Sequence, residues 1–148
     1  SLPSRGLGDV YKRQLYDSSI KIALTLIEKT NITIIPGITS IQVLMAAHKI
    51  NMNEIGKPFS VFTGRFLRDK GLSFTNSRSF VMLDGECSFK FLELSKFFIW
   101  WGAYLGMDKQ IIRNGYLHEV SDDIIKLRND ARKKYGWIMD TYLLQKIN

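Results

Sequence analysis

The sequence predicts an α/β domain in which a mixed sheet is flanked by helices. Three observations predict it. Segments with apolar residues at three- and four-residue spacings alternate with short β-branched or aromatic runs. Those runs stop at glycine or Asp-Gly, and an Asn-Gly pair late in the chain lies between two apolar runs, a pattern that turns antiparallel hairpins. With 148 residues, 45% of them hydrophobic, the chain can fill one core and is too short for two ordinary domains.

Residues 1–14 have no hydrophobic period and no apolar core of a signal peptide, and DVYKRQ at 9–14 resembles the translation of a transposon-end sequencing adapter. This segment is expected to be disordered and to pack against nothing. Residues 16–29 place Ile20, Ala23, Leu24 and Ile27 on one helical face, with Asp17 or Ser18 to cap it. A short strand over 31–35 is expected to end at Pro36-Gly37. From Thr39 the spacing is helical again, with Thr39 or Ser40 as cap, and 51–57 is a polar loop.

Strands are expected over 59–63 and 79–83, ending at Gly64 and at Asp84-Gly85, with a loop over 65–76 between them. Phe89 and Leu92, with Phe91, offer residues 88–96 a short buried helical face. The next strand is 97–104. Asn114-Gly115 is expected to turn a hairpin between QIIR and YLHEV, which places His118 on a strand. Ser121 then opens a helix to about Tyr135, acidic in its first turn, basic in its last and stopped by Gly136. The apolar tail 137–144 packs back.

Composition excludes several classes. The longest apolar stretch, FFIWWGAYLGM, is shorter than the roughly 18 residues that a bilayer-spanning helix needs, so no membrane partner is expected. One cysteine, Cys87, and two histidines, His48 and His118, give no ligand set at metal spacing, and a reducing, cytoplasmic setting is expected. The formal net charge is +7, of which residues 1–14 supply +2. The basic residues form no run and the aromatics fall in apparent core strands, which argues against a nucleic-acid-binding module.

The chemistry is expected at the strand ends. Four of them, IIPGITS, TGR, MLDG and WGAYLG, stop at glycine or at a helix cap, and in open α/β sheets ligands collect beyond the carboxyl ends of strands. Glycine lets the backbone approach a ligand, and a helix start can hold a carboxylate.

The order LYDSSIKI, IIPGITSIQVLMAAHKINMNEIGKP, TGR, VMLDGECSF, WWGAYLGMDKQIIRNGYLHEV and YGWIMDTYLL resembles the C-terminal half of the corrin-pathway members of the tetrapyrrole methyltransferase superfamily. The likeness covers nearly everything from Leu15 to Leu144, and MLDG, WGAYLG and GWIMDTYLL carry most of its specificity. It implies a two-domain enzyme that binds S-adenosylmethionine between its domains, methylates C-1 of precorrin-5 and releases the C-20 acetyl unit as acetate in cobalamin biosynthesis. The implied partners are that tetrapyrrole and an N-terminal domain of the same enzyme, whose Gly-Asp-Pro turn before LYDS is absent here; a homodimer is left open. The fragment is expected to be inactive by itself.

The resemblance puts Ser18, Thr39, Ser40, Met82, Leu83 and Ala103 at the cofactor. Acetyl removal needs water delivered to a carbonyl, for which a carboxylate or imidazole serves as base. Asp84 and Glu86 follow a strand end and are the expected catalytic groups, with Tyr104 as a substrate contact, whereas His48 and His118 are expected to be surface or satisfied histidines. Relatives of this fold that modify diphthamide or ribosomal RNA are the alternative, against which MLDG and GWIMDTYLL argue.

Overall fold

The computed structural model describes residues 35–72 and 77–147, together with Lys21 and Thr25. The chain divides into two compact units, Ser1–Ser40 and Ile41–Asn148. In the first, Lys21 and Thr25 are helical, inside the helix expected over 16–29, and residues 35–39 are in neither helix nor strand. The rest of that helix, residues 1–14, Ser18 and the strand expected over 31–35, apart from Ile35, lie outside the described residues.

The elements in order are α1 (Ser40–His48), β1 (Ser60–Thr63), α2 (Gly64–Lys70), β2 (Arg78–Met82), two 3-10 turns (Ser88–Phe91 and Leu94–Lys96), β3 (Phe97–Ala103), β4 (Ile111–Tyr116), α3 (Leu117–Tyr135) and β5 (Asp140–Lys146). Among the described residues five strands form one sheet in the order β1-β2-β5-β3-β4. β1 and β2 pair in parallel; β5 runs antiparallel to both β2 and β3, and β4 antiparallel to β3.

Alternation along the strands gives the sheet two apolar faces. On one, Val81, Ile99, Trp101, Tyr142 and Leu144 pack with Leu67 of α2, Phe89 of the first 3-10 turn, and Leu117, Ile124 and Ala131 of α3. The opposite face buries Phe80 and Leu143. There Gly102 lets α1 come close, since a Cβ at Gly102 would lie 2.9 Å from Leu44 Cδ1 and 2.6 Å from Leu105 Cδ2.

Three expectations fail, each for a local reason. Residues 64–70 are helix rather than loop: the Thr63 hydroxyl accepts a hydrogen bond from Phe66 N at 3.2 Å, an N-cap just after a strand, and Leu67 supplies the helix's buried contact. Asn114-Gly115 turns nothing; both residues lie inside β4, opposite Trp100 and Ile99. Gly115 is there because a Cβ would lie 2.6 Å from Val120 Cγ1 where α3 begins. The chain actually turns over 104–110. Finally, α3 starts at Leu117 rather than Ser121, because Leu117 extends the buried stripe Ser121, Ile124, Arg128, Ala131 by one turn. His118 is therefore helical and exposed.

Other expectations match. α1 begins directly after Thr39, and Gly136 ends α3 in the left-handed conformation (φ 75°) with its N–H on Arg132 O at 2.8 Å. The tail packs back as β5, the middle strand of the sheet.

Candidate functional site

Because β5 is antiparallel to both β2 and β3, the strands β1, β2 and β3 all point the same way, and their carboxyl ends share one edge. Val81 pairs with Tyr142, and Ala103 with Asp140. Carried on by two residues, the β2–β5 register sets Leu83 level with Asp140, so Asp140 in the middle strand lies between Leu83 and Ala103, which are two strand spacings or about 10 Å apart. Three of the four turns singled out in the sequence, TGR, MLDG and WGAYLG, meet at this edge. The fourth, IIPGITS with Thr39 and Ser40, belongs to the smaller unit.

The backbone at this edge is unusual. Leu83, just past β2, has φ 54°, and Tyr104, just past β3, has φ 51°. Bulky residues in the left-handed region carry strain of about 1 to 2 kcal/mol and persist only where their surroundings hold them. Leu83 is also 42% exposed, an apolar side chain left in the open at the end of a buried strand. Met82 and Ala103, by contrast, are buried, so toward a ligand beyond the edge they present backbone rather than side chain.

Asp84 is buried and saturated. Its carboxylate accepts hydrogen bonds from Ser88 N and Ser88 Oγ, both at 2.6 Å, from Glu86 N at 3.2 Å and from the Tyr142 hydroxyl at 2.6 Å, with Arg68 Nη1 3.6 Å away. Gly64 makes room for it, since any Cβ there would overlap the carboxylate. Burial, reinforced by the neighbouring Asp84 charge, pushes the Tyr142 phenol well above its ordinary value, so its proton stays in place. Glu86 is the open carboxylate at this edge, 61% exposed with Arg68 Nε at 3.8 Å.

A second buried cluster lies beside the first. Asp140 Oδ2 accepts from Arg128 Nε at 3.1 Å and from Trp101 Nε1 at 2.9 Å, and Arg128 Nη2 donates to the Asp84 carbonyl at 3.1 Å. One guanidinium from α3 therefore ties the turn after β2 to the start of β5. Burial raises the Asp140 carboxyl above its usual range, against the pull of Arg128 and Trp101. Arg128, Tyr142 and Arg68 escape a reading of the sequence because their partners are far away in the chain. The local signal is an Asp-Gly turn just after the apolar run Phe80-Val81-Met82-Leu83.

Tyr104 is buried, and its hydroxyl donates to Trp137 O at 2.7 Å. His48 Nε2 donates to Trp101 O at 3.0 Å while Nδ1 faces Asn114 Nδ2 at 3.4 Å; burial lowers its pKa, outweighing the hydrogen bond to Trp101, and it is a satisfied neutral histidine. His118 is exposed, 3.7 Å from Glu119. Among the described residues no three His, Cys, Asp or Glu side chains gather as a ligand set, and no helix is long and apolar enough to cross a membrane.

The chain shares its fold with two solved proteins and is similar in sequence to one of them. In sequence it is similar to a precorrin-6A synthase. A precorrin-6A synthase [deacetylating] of Sinorhizobium sp is 44% identical over 136 residues, 89% of this chain and 52% of the relative. The crystal structure of a cobalamin synthesis related protein (CobF) from Corynebacterium diphtheriae matches 92% of this chain and 58% of its own, with 36% identity and a TM-score of 0.79. Uroporphyrin-III-C-methyltransferase of Thermus thermophilus, 15% identical, shares the fold at a TM-score of 0.56, over 88% of this chain and 59% of its own. No family model matches. The chain spans about half the length of the curated relative.

Proposed function

We propose that this chain supplies one wall of the S-adenosylmethionine cleft of a precorrin-6A synthase, and that the whole enzyme methylates C-1 of precorrin-5 and releases the C-20 acetyl unit as acetate. The observation that carries the reading is the shared edge. Three same-direction strands end there, two of them in left-handed bulky residues, within a chain 44% identical to a precorrin-6A synthase.

The residues at the edge suit such a cofactor. The exposed Leu83 offers apolar surface to an adenine ring, while Met82 and Ala103 offer main-chain groups close to it. When bound, the sulfonium supplies an already activated methyl group, and the protein's task is to position donor and acceptor. We assign water activation for acetyl release to Glu86, because its carboxylate is open and paired only loosely with Arg68. Asp84 and Tyr104 hold the two turns, since the carboxylate of one and the hydroxyl of the other are already committed to protein partners. Ser18, Thr39 and Ser40 would add contacts from the N-terminal segment, as the resemblance implies.

The test is to titrate S-adenosylmethionine into the chain alone, and into a fusion with the portion of the Sinorhizobium relative that the chain does not span. Weak or absent binding is expected for the chain alone. The fusion should bind at micromolar concentration and convert precorrin-5 with acetate appearing in step with methyl transfer. A folded fusion that binds the cofactor yet leaves precorrin-5 untouched would overturn the reading.

A further inference from the structure

The turn after β3 contains an arrangement that neither the relatives' names nor the reading above accounts for. Lys109 Nζ lies 4.6 Å from the ring centre of Tyr104, 4.4 Å from Tyr135 and 4.5 Å from Trp137. The rings meet edge to face, Tyr104 with Tyr135 at 5.3 Å and with Trp137 at 5.1 Å. They come from three places: the turn itself, the last residue of α3, and the link from α3 to β5. An ammonium group over three aromatic faces is a cation–π box, and each ring adds to the attraction.

We propose that Lys109 is a positioning residue that holds Tyr104 in its left-handed conformation and thereby fixes the backbone of Ala103-Tyr104. Tyr104 needs such support, since a tyrosine at φ 51° is strained. Its amide donates to Met139 O at 3.0 Å, its hydroxyl donates to Trp137 O at 2.7 Å, and its carbonyl accepts from Met107 N at 3.0 Å. Those bonds anchor the main chain and the ring tip. Lys109 closes the turn from its far end by pulling residue 109 back onto the ring of residue 104. The consequence for the cofactor rests on the reading that this edge faces S-adenosylmethionine, whereas the clamp itself does not.

Lys109→Met keeps the aliphatic stem and removes the charge, and Lys109→Arg keeps a cation over the rings. In the 148-residue chain, amide hydrogen exchange at Tyr104 and Met107 is expected to rise about tenfold in K109M, with Phe80 and Val81 of β2 unchanged, and to return to within about threefold of the parent in K109R. Trp137→Leu removes one ring at a half-exposed position and should give a smaller rise. Unchanged exchange in K109M overturns the clamp whatever W137L does, as does a K109R variant no better protected than K109M. In the fusion enzyme, K109M should weaken S-adenosylmethionine binding several-fold. If the turn loosens and the arginine retightens it while cofactor affinity stays constant, the clamp stands and the cofactor reading of this edge fails.

Discussion

Cys87 shows how far one side chain's chemistry is set by its surroundings. It follows the Asp84 turn in a left-handed conformation, and burial pushes its thiol up to about 11, with Asp140 and Asp84 adding to the rise and Arg128 opposing it. Below pH about 9 the thiol is protonated in both folded and unfolded chains. Between about 9 and 11 the unfolded chain has lost the proton and the folded chain keeps it, so stability falls as pH rises, by about 2 kcal/mol. Urea midpoints at pH 8 and pH 11 are expected to show this loss, and Cys87→Ala to remove that part of it. The two neighbouring carboxylates should separate just as clearly. Asp84→Ala strands four donors and is expected to cost about 3 kcal/mol or more in chemical denaturation. Glu86→Gln should change stability by less than about 0.5 kcal/mol and, in the fusion enzyme, slow acetate release more than methyl transfer. Ala103 sits in the core cluster, so Ala103→Leu overpacks and is expected to lose about 1 to 3 kcal/mol of stability whatever it does to cofactor binding.

At the level of elements, β1, β2 and β3 were legible because their apolar runs stop at turns, whereas β4 was read as a hairpin and β5 only as a tail that packs back. Phe97 to Trp101 is a run of aromatic and β-branched side chains, and Phe80 to Met82 a short apolar run, and each stops at a turn. Helix α2 was hidden because GRFLRDK buries only Gly64 and Leu67, too little to register as a period. The Thr63 cap was its available sign, and Thr63→Ala is expected to cost about 1 kcal/mol, read as a shift in the thermal midpoint. The Asn-Gly pair misleads for the opposite reason: its local preference is real, but the approach of Val120 gives Gly115 a packing role that no neighbour in sequence announces. The same holds for the candidate site. Its turns could be found from glycine and Asp-Gly at strand ends, whereas the groups that hold them, Arg128, Tyr142 and the Lys109 box, join residues separated by up to 58 positions.

For the whole molecule, topology matters more than any single contact. The middle strand, β5, follows the other four in sequence, and among the described residues it joins the parallel pair β1-β2 to the antiparallel pair β3-β4. Its pairing with β2 closes loops of more than sixty residues, Arg78 to Gln145 among them. During synthesis the two pairs must therefore wait, each with an open edge of hydrogen-bonding groups, until residues 140–146 have left the ribosome. Chains stalled before residue 140 are expected to be cut readily by protease and to bind chaperones, and chains stalled beyond the point where residue 146 emerges to become resistant in one step. The same order makes the loss of residues 140–146 graver than the loss of an edge strand: without β5 the pairs β1-β2 and β3-β4, among the described residues, share no backbone hydrogen bond and are held together by side-chain packing alone.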